Sequence, residues 1–273
     1  MTTPNTPLIE KGTLTREALR GRVAVVSGAG DGIGYEAARA LAWLGAHVVI
    51  AEIDKRRGRK AERSLSEEMG EGIVTFVHTD VGDERSVGRL SQHLLNGVGK
   101  ADIVINNATV TPVGAVHETR IQDWDRSYRV NVRGPVLLAQ AFLPGMLKRK
   151  YGVFICVSSS GAAPYMGAYE AFKSAQTELA KTLAAELAGT GVFVLSIAPG
   201  FVPTTPGAVS TIAKTAAIHG QSASEFEEQR QQHAVSAEVA GAGFAAAAAL
   251  APDLHGQEIT SRQALQMIGI HTY

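Results

Sequence analysis

The 273-residue sequence is poor in the residues that build several common kinds of site. Its single cysteine, Cys156, excludes a disulfide within the chain and a cysteine-based metal site. Cys156 lies in the apolar run VFICV, which favours a small buried side chain over a nucleophile. The eight histidines show no paired ligand spacing such as HExxH, so we predict no metal site.

The sequence also lacks a net charge, because 26 Lys and Arg residues balance 26 Asp and Glu residues. No global field therefore attracts nucleic acid or an anionic membrane. No run approaches about eighteen uninterrupted apolar residues, and the first residues lack the apolar core of a signal peptide. We expect a soluble cytoplasmic protein without nucleic-acid or membrane partners.

Short β-branched runs alternate with longer helical patterns along the chain. Strands that read as apolar runs between helices predict a parallel sheet covered on both faces. Right-handed crossovers then give an α/β, Rossmann-like, doubly wound sheet. The runs are residues 23–27, 47–51, 73–78, 102–106, 153–158 and 192–197.

No Pro/Ser-rich linker divides the chain, so we predict a single domain over residues 21–273. Residues 1–20 are expected to form a polar arm with a short helix around TREALR. Many turn formers follow Pro199, and residues 201–233 are predicted to form an irregular substrate flap over the carboxyl edge of the sheet.

A glycine-rich turn, SGAGDGIG, follows the first strand and leads into a helix. Glycines at this place let the backbone approach a pyrophosphate at a helix N-terminus. The second strand ends at Glu52, whose carboxylate suits ribose hydroxyls and repels a 2′-phosphate. Asp31 in the turn adds negative charge, so both residues favour NAD. An arginine of KRRGRK, residues 55–60, could instead support NADP.

These motifs, in this order, resemble the short-chain dehydrogenase/reductase superfamily from about Gly21 to Gly256, in its compact single-domain branch. The glycine turn resembles TGxxxGIG, NNAT resembles NNAG, and VNVRG resembles the helix motif with a catalytic Asn. The resemblance implies a further strand at the end of the chain, which gives a sheet of about seven strands. It also implies a homotetramer or dimer, since members of this family often form such assemblies. It implies that these residues bind the cofactor: Gly28, Asp31, Gly32, Ile33, Gly34, Glu52, Asp80, Val81, Asn107, Tyr169, Lys173, Pro199, Gly200, Val202 and Thr204.

The same resemblance implies an active site of Asn131, Ser159, Tyr169 and Lys173. Tyr169 and Lys173 lie four residues apart, which places them on one helix face. An ammonium beside the phenol is expected to lower the tyrosine pKa from about 10, so that Tyr169 acts as general acid or base. Asn131 would hold a water that relays protons from Lys173.

The choice of serine depends on a short loop. The family's Gly-x-x-x-x-x-x-Ser strand, counted from Gly152, implies Ser159. This serine lies ten residues before Tyr169, whereas the family commonly has thirteen. Thirteen residues back lies Cys156, which the strand pattern buries, so we infer a shortened loop. Ser158 and Ser160 remain alternatives for the hydroxyl that binds the substrate oxygen.

Two further residues bear on the pocket. Thr109 replaces the last Gly of NNAG and is expected either to narrow the nicotinamide ribose site or to shift the loop that follows. Tyr165 is expected to form a pocket wall.

The sequence thus predicts an NAD-dependent oxidoreductase that interconverts a secondary alcohol and a carbonyl compound. An NADP-dependent ketoreductase and a catalytically silent dinucleotide sensor are the alternatives. The substrate itself is not predicted.

Overall fold

A parallel sheet of seven strands forms the centre of the computed structural model, which describes residues 6–159, 161, 163–231 and 234–272. The strands are β1 (Val23–Ser27), β2 (His47–Glu52), β3 (Val74–His78), β4 (Ile103–Asn106), β5 (Gly152–Val157), β6 (Val192–Ala198) and β7 (Glu258–Thr260). Their spatial order is β3-β2-β1-β4-β5-β6-β7. The predicted fold class is confirmed, and the six predicted runs match their strands to within one residue at each end.

Both faces of the sheet are buried, as apolar strand sequences require. In β1, Ala24 and Val26 face one hydrophobic core, whereas Val23 and Val25 face the other. Every residue of β1 is buried, including Ser27 at its end. Helices must therefore cover the sheet on both sides.

Eleven α-helices within the described residues provide that cover. Several begin with a capping side chain: Asp54 accepts from the backbone N–H groups of Arg56 and Arg57, and Thr260 forms a capping box with Gln263. The helices are α1 (Gly32–Trp43), α2 (Lys55–Met69), α3 (Glu84–Asn96), α4 (Ile121–Tyr128), α5 (Gly134–Arg149), α6 (Gly167–Glu186), α7 (Pro206–Ile218), α8 (Ala223–Glu228), α9 (Ala237–Ala249), α10 (Ala251–Leu254) and α11 (Ser261–Met267).

The strand order places a cleft between β1 and β4. From β1 the chain proceeds to β2 on one side, and β4 adds on the other, so the connecting segments diverge above the carboxyl ends of these strands. The glycine turn, the end of β2 and the loop after β4 all reach this edge. Most of the sequence-predicted site residues are thereby brought to one place.

The N-terminal segment differs from the predicted polar arm. Ile9 and Leu19 are buried in the core, and the backbone N–H of Leu8 donates to Glu238 at 2.9 Å. The helix expected around TREALR is absent from the structure: residues 16–21 form turns, and a 3₁₀ helix spans Leu8–Lys11 instead. Burial of these two apolar side chains overrides the local helix propensity.

The flap predicted as irregular, residues 201–233, contains α7 and α8. Thr205 caps the first of these helices and Ser222 the second, so the turn formers mark helix starts rather than an open loop. Gln232 and His233 lie outside the described residues. No helix in the described part of the chain is both long and apolar enough to cross a membrane.

Candidate active site

The glycine turn after β1 is packed so closely that side chains do not fit. Gly28 and Gly32 have φ values of +66° and +58°, which glycine adopts without strain. A Cβ atom on Gly28 would lie 2.9 Å from the Ala108 Cα atom, and one on Gly34 would lie 2.5 Å from the Gly28 carbonyl oxygen. The turn therefore brings closely packed backbone to the N-terminus of α1, where an anion is favoured.

Side chains from β1 and the loop after β4 hold this turn in place. The Asn107 amide nitrogen donates to the carbonyl oxygens of Ser27 at 2.9 Å and Gly28 at 3.2 Å. In return the Ser27 hydroxyl accepts from the backbone N–H groups of Asn107 and Ala108, both at 3.0 Å. The Asn107 side chain thus holds the glycine turn in position.

Glu52 lies at the end of β2 with its carboxylate against the glycine turn. One oxygen accepts from the Gly30 N–H at 3.1 Å, and the other accepts from the Asp54 N–H at 2.9 Å. The Arg57 guanidinium lies 3.6 Å from Glu52 and 3.4 Å from Asp54. Arg57 of the KRRGRK segment therefore faces the same region but is shared between two carboxylates.

A cavity of about 500 Å³ opens between these elements. Its wall includes nine of the sequence-predicted residues, namely Gly28, Asp31, Gly32, Ile33, Gly34, Glu52, Asp80, Val81 and Asn107. Sequence reasoning missed other lining residues, among them Ile53, Thr79, Arg126, Arg129 and Thr205. The two arginines come from α4 and the turn that follows it, and no motif placed them at this edge.

The Asp80 side chain lies on the far wall of the cavity. One oxygen accepts from the Gly82 N–H at 2.9 Å, and the other is 3.1 Å from the Arg129 guanidinium. Val81 is buried beneath Gly134, where an added Cβ would lie 3.2 Å from a Val81 methyl group. Asp80 therefore reaches the cavity already paired with a cation.

The segment after β6 contributes differently from the sequence expectation. Thr204 is exposed and outside the cavity wall, whereas Thr205, one residue later, faces Gly32 and caps α7. Val202 is buried against Val235, and Gly200 has a φ of +89°. Pro199, Gly200 and Val202 thus shape the segment without lining the cavity.

Tyr169 and Lys173 lie in the first turns of α6. The Lys173 Nζ atom is 5.8 Å from the centre of the Tyr169 ring and donates to the Val157 carbonyl oxygen at 2.7 Å. Lys173 is only 2% exposed, and Tyr169 is partly buried. The predicted pairing of these residues on one helix face is present, with the ammonium anchored to the end of β5.

The pKa of Tyr169 is not lowered, as the sequence led us to expect, but raised. Burial raises the pKa of Tyr169 to about 12, opposed by a hydrogen bond with Ser159 and reinforced by the charge of Glu170. Burial lowers the pKa of Lys173 to about 8, opposed by the charge of Glu170. Loss of hydration outweighs the hydrogen bond with Ser159 here, so Tyr169 in the chain alone is a phenol at neutral pH.

Ser159 is the candidate serine that faces the tyrosine. Its hydroxyl hydrogen-bonds with Tyr169 and donates to a Glu170 carboxylate oxygen at 3.4 Å. Ser158 instead continues the pairing of β5, its N–H donating to Ile197, and its buried hydroxyl has no partner among the described residues. Ser160 lies outside the described residues. Cys156 is buried in β5, where burial raises its pKa to about 12.

Asn131 lies in a π-helical turn, Arg129–Arg133, between α4 and α5. Its side-chain oxygen accepts from the Thr109 hydroxyl at 2.8 Å, and its amide donates to the Val110 carbonyl at 2.8 Å and to Ser127 at 2.9 Å. Thr109, the departure from NNAG, therefore adds a hydrogen bond to Asn131. The Asn131 side chain holds the loop after β4 in place.

Gln176 is a buried polar residue that sequence reasoning missed. Its amide nitrogen donates to the Asn131 carbonyl oxygen, and its amide oxygen accepts from Asn106 at 3.2 Å. Because Gln176 follows Lys173 by one helical turn, it ties the lysine's helix to the π-helical turn and to β4. A glutamine at this spacing on a largely apolar helix face was the available signal.

Tyr165, expected as a pocket wall, lies in the short loop before α6 with a φ of +65°. Its ring meets His219 at the end of α7 edge to face, with ring centres 5.2 Å apart. His219 in turn stacks on Phe226 of α8. The loop of the reaction centre thus contacts the end of α7, and His219 connects it to α8.

Comparison with known proteins shows the family of this chain. Residues 22–216 match the family model described as short chain dehydrogenase, which is more than half of the chain. The chain belongs to the short-chain dehydrogenase family. An uncharacterized oxidoreductase of Thermotoga maritima is 39% identical over 68% of this chain and 73% of its own. Meso-2,3-butanediol dehydrogenase of Serratia marcescens is 36% identical over 67% and 72%.

Solved structures of short-chain dehydrogenases share the fold over nearly the whole chain. L-sorbose reductase of Gluconobacter frateurii, complexed with NADPH and L-sorbose, has a TM-score of 0.81 at 27% identity and covers 90% of this chain and 96% of its own. The 3-ketoacyl-(acyl-carrier-protein) reductase of Brucella melitensis, complexed with NADH, has a TM-score of 0.77 at 25% identity, covering 89% and 97%.

The family makes this protein a nicotinamide-dinucleotide-dependent oxidoreductase that acts on CH–OH groups of small molecules. The residues present fit such a cofactor. The close-packed glycine turn lines the cavity at the start of α1, and a carboxylate at Glu52 lies where the adenosine ribose of a dinucleotide is recognised.

Proposed function

We propose that the protein is an NAD-dependent dehydrogenase that interconverts a secondary alcohol and a ketone. The observation that carries this proposal is the placement of Glu52, which lines the cavity while bonded to the Gly30 N–H of the glycine turn. A carboxylate there accepts hydrogen bonds from ribose hydroxyls and repels a phosphate in the same position.

The arrangement of Arg57 supports NAD over NADP. Arg57 is the KRRGRK arginine that lines the cavity, and it is shared between Glu52 and Asp54. Binding of a 2′-phosphate would require Arg57 to leave both carboxylates, and would bring the phosphate towards Glu52. Two negative groups already compensate the one cation at this place, so a third is disfavoured.

Tyr169 is the proposed general acid and base, and Ser159 binds the reacting oxygen. In alcohol oxidation Tyr169, as the phenolate, takes the proton from the carbinol oxygen. A bound oxidised dinucleotide would accept the hydride from the carbinol carbon, so that a ketone results, and its positive charge would favour the phenolate. Ser159 donates to the substrate oxygen as negative charge develops there. Reduction reverses each transfer.

Lys173 and Asn131 are proposed to support proton transfer at Tyr169. The Lys173 ammonium is held by the Val157 carbonyl beside the tyrosine ring, and its pKa of about 8 allows it to give up a proton near neutral pH. Gln176 links the Asn131 carbonyl to the helix that bears Lys173. We propose that Asn131 holds the water through which this proton reaches solvent.

An NADP-dependent ketoreductase is the second candidate, favoured by one observation. Tyr169 is a phenol in the chain alone, which is the form that donates a proton to a carbonyl. The sorbose reductase of the same fold was solved with NADPH. The two candidates differ in which dinucleotide binds more tightly.

The test is a side-by-side titration of the purified protein with NADH and NADPH, followed by nicotinamide fluorescence. Tighter NADH binding supports the proposal, and tighter NADPH binding favours the ketoreductase. Tyr169→Phe then tests the chemistry: we expect loss of turnover with NADH affinity retained. Unchanged turnover in that variant would contradict the role of Tyr169.

We also propose that a single domain covers residues 21–273 and that copies of it associate. Ile121 and Tyr128 on α4 are exposed, and the Tyr128 ring packs against Phe172 of α6. An apolar surface beside the long helices α5 and α6 suits a dimer or tetramer contact. Light scattering coupled to gel filtration measures the mass in solution, and a monomer at all concentrations would exclude this assembly.

A further inference from the structure

A carboxylate, Glu170, lies in the reaction centre where the proposed mechanism does not use it. It follows Tyr169 in the first turn of α6, and its half-buried side chain reaches Ser159, just after β5. It accepts from the Ser159 hydroxyl at 3.4 Å and from the backbone N–H of Ala163. The shortened loop between Ser159 and Tyr169 brings these groups to the carboxylate.

Glu170 lacks the partner that a partly buried carboxylate usually has. Among the residues that the structure describes, no lysine or arginine lies within ion-pair distance of it, although the charge of Lys173 lowers its pKa, and its hydrogen-bond partners are the Ser159 hydroxyl and the Ala163 N–H. Burial raises its pKa, because the charged form has lost part of its hydration. A carboxylate in this state has spare acceptor capacity, since two oxygens offer about four acceptor sites.

The distance between Ser159 and Glu170 limits what that capacity can reach. Ser159 would hold the reacting oxygen at about 2.7 Å, the usual length of a hydroxyl hydrogen bond. The Glu170 oxygen lies 3.4 Å from the same Ser159 hydroxyl oxygen. The reacting oxygen and the Glu170 oxygen are then at most about 6 Å apart, so a donor on the carbon next to the one that is oxidised can reach Glu170.

We propose that Glu170 is a specificity-determining residue that selects substrates with a hydrogen-bond donor, a hydroxyl or an ammonium group, on the carbon adjacent to the reacting carbinol. The same carboxylate excludes substrates that carry a negative group there, because like charges repel across a partly desolvated contact. This inference rests on the proposed function of Ser159 and Tyr169.

The test uses four compounds that share one skeleton and differ only at the adjacent carbon: propan-2-ol, propane-1,2-diol, 1-aminopropan-2-ol and lactate. Turnover is measured with the preferred dinucleotide for the wild-type protein, Glu170→Ala and Glu170→Gln. Glu178→Gln is the matched control, because Glu178 is exposed on the same helix and pairs with Lys181. We expect the control to behave as the wild-type protein.

In the wild-type protein kcat/KM should be higher for the diol and the amino alcohol than for propan-2-ol, and lowest for lactate. In Glu170→Ala the preference for the diol should fall about 10- to 100-fold relative to propan-2-ol, the loss expected for a charged hydrogen bond. In Glu170→Gln the amide still accepts, so the diol should lose less than the amino alcohol, and lactate should gain relative to propan-2-ol.

A uniform fall for all four compounds, with their ratios unchanged, would overturn the inference and leave Glu170 as a residue that only positions Ser159. Where turnover of these small alcohols is too slow to measure, their dissociation constants from the dinucleotide complex, read by nicotinamide fluorescence, give the same ratios. Equal constants in wild type and Glu170→Ala would equally refute it. Failure of NADH and NADPH to bind at all would refute the proposed function instead.

Discussion

Replacing Glu52 by glutamine should shift the preference between the two dinucleotides. Both oxygens of Glu52 accept backbone N–H groups, and Arg57 lies 3.6 Å away. Two unit charges about 4 Å apart interact by about 4 kcal/mol at an effective dielectric constant near 20. Screening by solvent at Arg57, which is 40% exposed, reduces this, and we take about 1.5–3 kcal/mol for the repulsion between Glu52 and a 2′-phosphate.

A change of that size corresponds to about a 10- to 100-fold gain in NADPH affinity relative to NADH. Arg57 contributes to the gain, since loss of the Glu52 charge leaves it free to meet the phosphate. The double variant Glu52→Gln/Arg57→Ala should therefore keep only part of the shift. Both are measured as Kd values for NADH and NADPH by nicotinamide fluorescence, with Glu178→Gln as a charge-matched control on the surface.

Stability has to be measured first in this variant. A glutamine must point its amide nitrogen at one of the two N–H groups, because Glu52 accepts through both oxygens. The resulting contact between two donors should cost about 1–3 kcal/mol of unfolding free energy, visible as a lower Tm. A folded Glu52→Gln protein whose NADH to NADPH ratio equals that of wild type would show that Glu52 does not set the cofactor preference.

Three further predictions concern the reaction centre and the glycine turn. Lys173→Met should stabilise the protein below pH 8 and abolish turnover. The pKa of Lys173 falls from 10.5 to about 8 on folding, so between these pH values the unfolded chain holds more protons and the unfolding free energy rises with pH. Below pH 8 the buried ammonium costs about 3 kcal/mol, and methionine removes this cost while losing about 1 kcal/mol for the hydrogen bond to Val157. A lower Tm at pH 7 would contradict this. Gln176→Leu removes the hydrogen-bond partner that Gln176 gives to the Asn106 amide and to the Asn131 carbonyl. Urea unfolding should therefore show an unfolding free energy lower by about 2–4 kcal/mol, and kcat should fall while NADH affinity is retained. Unchanged kcat in the folded variant would show that Gln176 does not support the site. Gly34→Ala places a Cβ atom 2.5 Å from the Gly28 carbonyl oxygen, so NADH affinity should drop at least about tenfold, and an affinity equal to wild type would mean that the turn is not the pyrophosphate site.

Much of the fold could be predicted because the strands are short apolar runs. A strand covered on both faces has no alternation to misread, and its ends are marked by polar or turn residues, as at Ser27 and Asn106. The N-terminal segment could not be predicted in this way. Ile9 and Leu19 are too far apart to form a periodic pattern, and only the folded core shows that both are buried.

The residues of the reaction centre also include some that the local sequence predicts and some that it does not. The spacing of Tyr169 and Lys173, the glycine turn and Glu52 are local features, because a helix face or a strand end follows from a few neighbouring residues. Thr205, Arg129 and Gln176 enter the site through contacts between segments far apart in the sequence, and no local pattern marks them.

The sequence by itself therefore determined the sheet, the glycine turn, the Tyr169–Lys173 pair and the family to which the chain belongs. Only the tertiary structure decided the acidities of that pair, the sharing of Arg57 between Glu52 and Asp54, and the approach of Glu170 to Ser159. The physical reason is that spacing along the chain fixes which face of an element a side chain points from. The burial of that side chain and the charges around it depend on every segment that packs against it. The tyrosine pKa illustrates this, since burial by the surrounding segments raises it to about 12 although Lys173 lies one helical turn away.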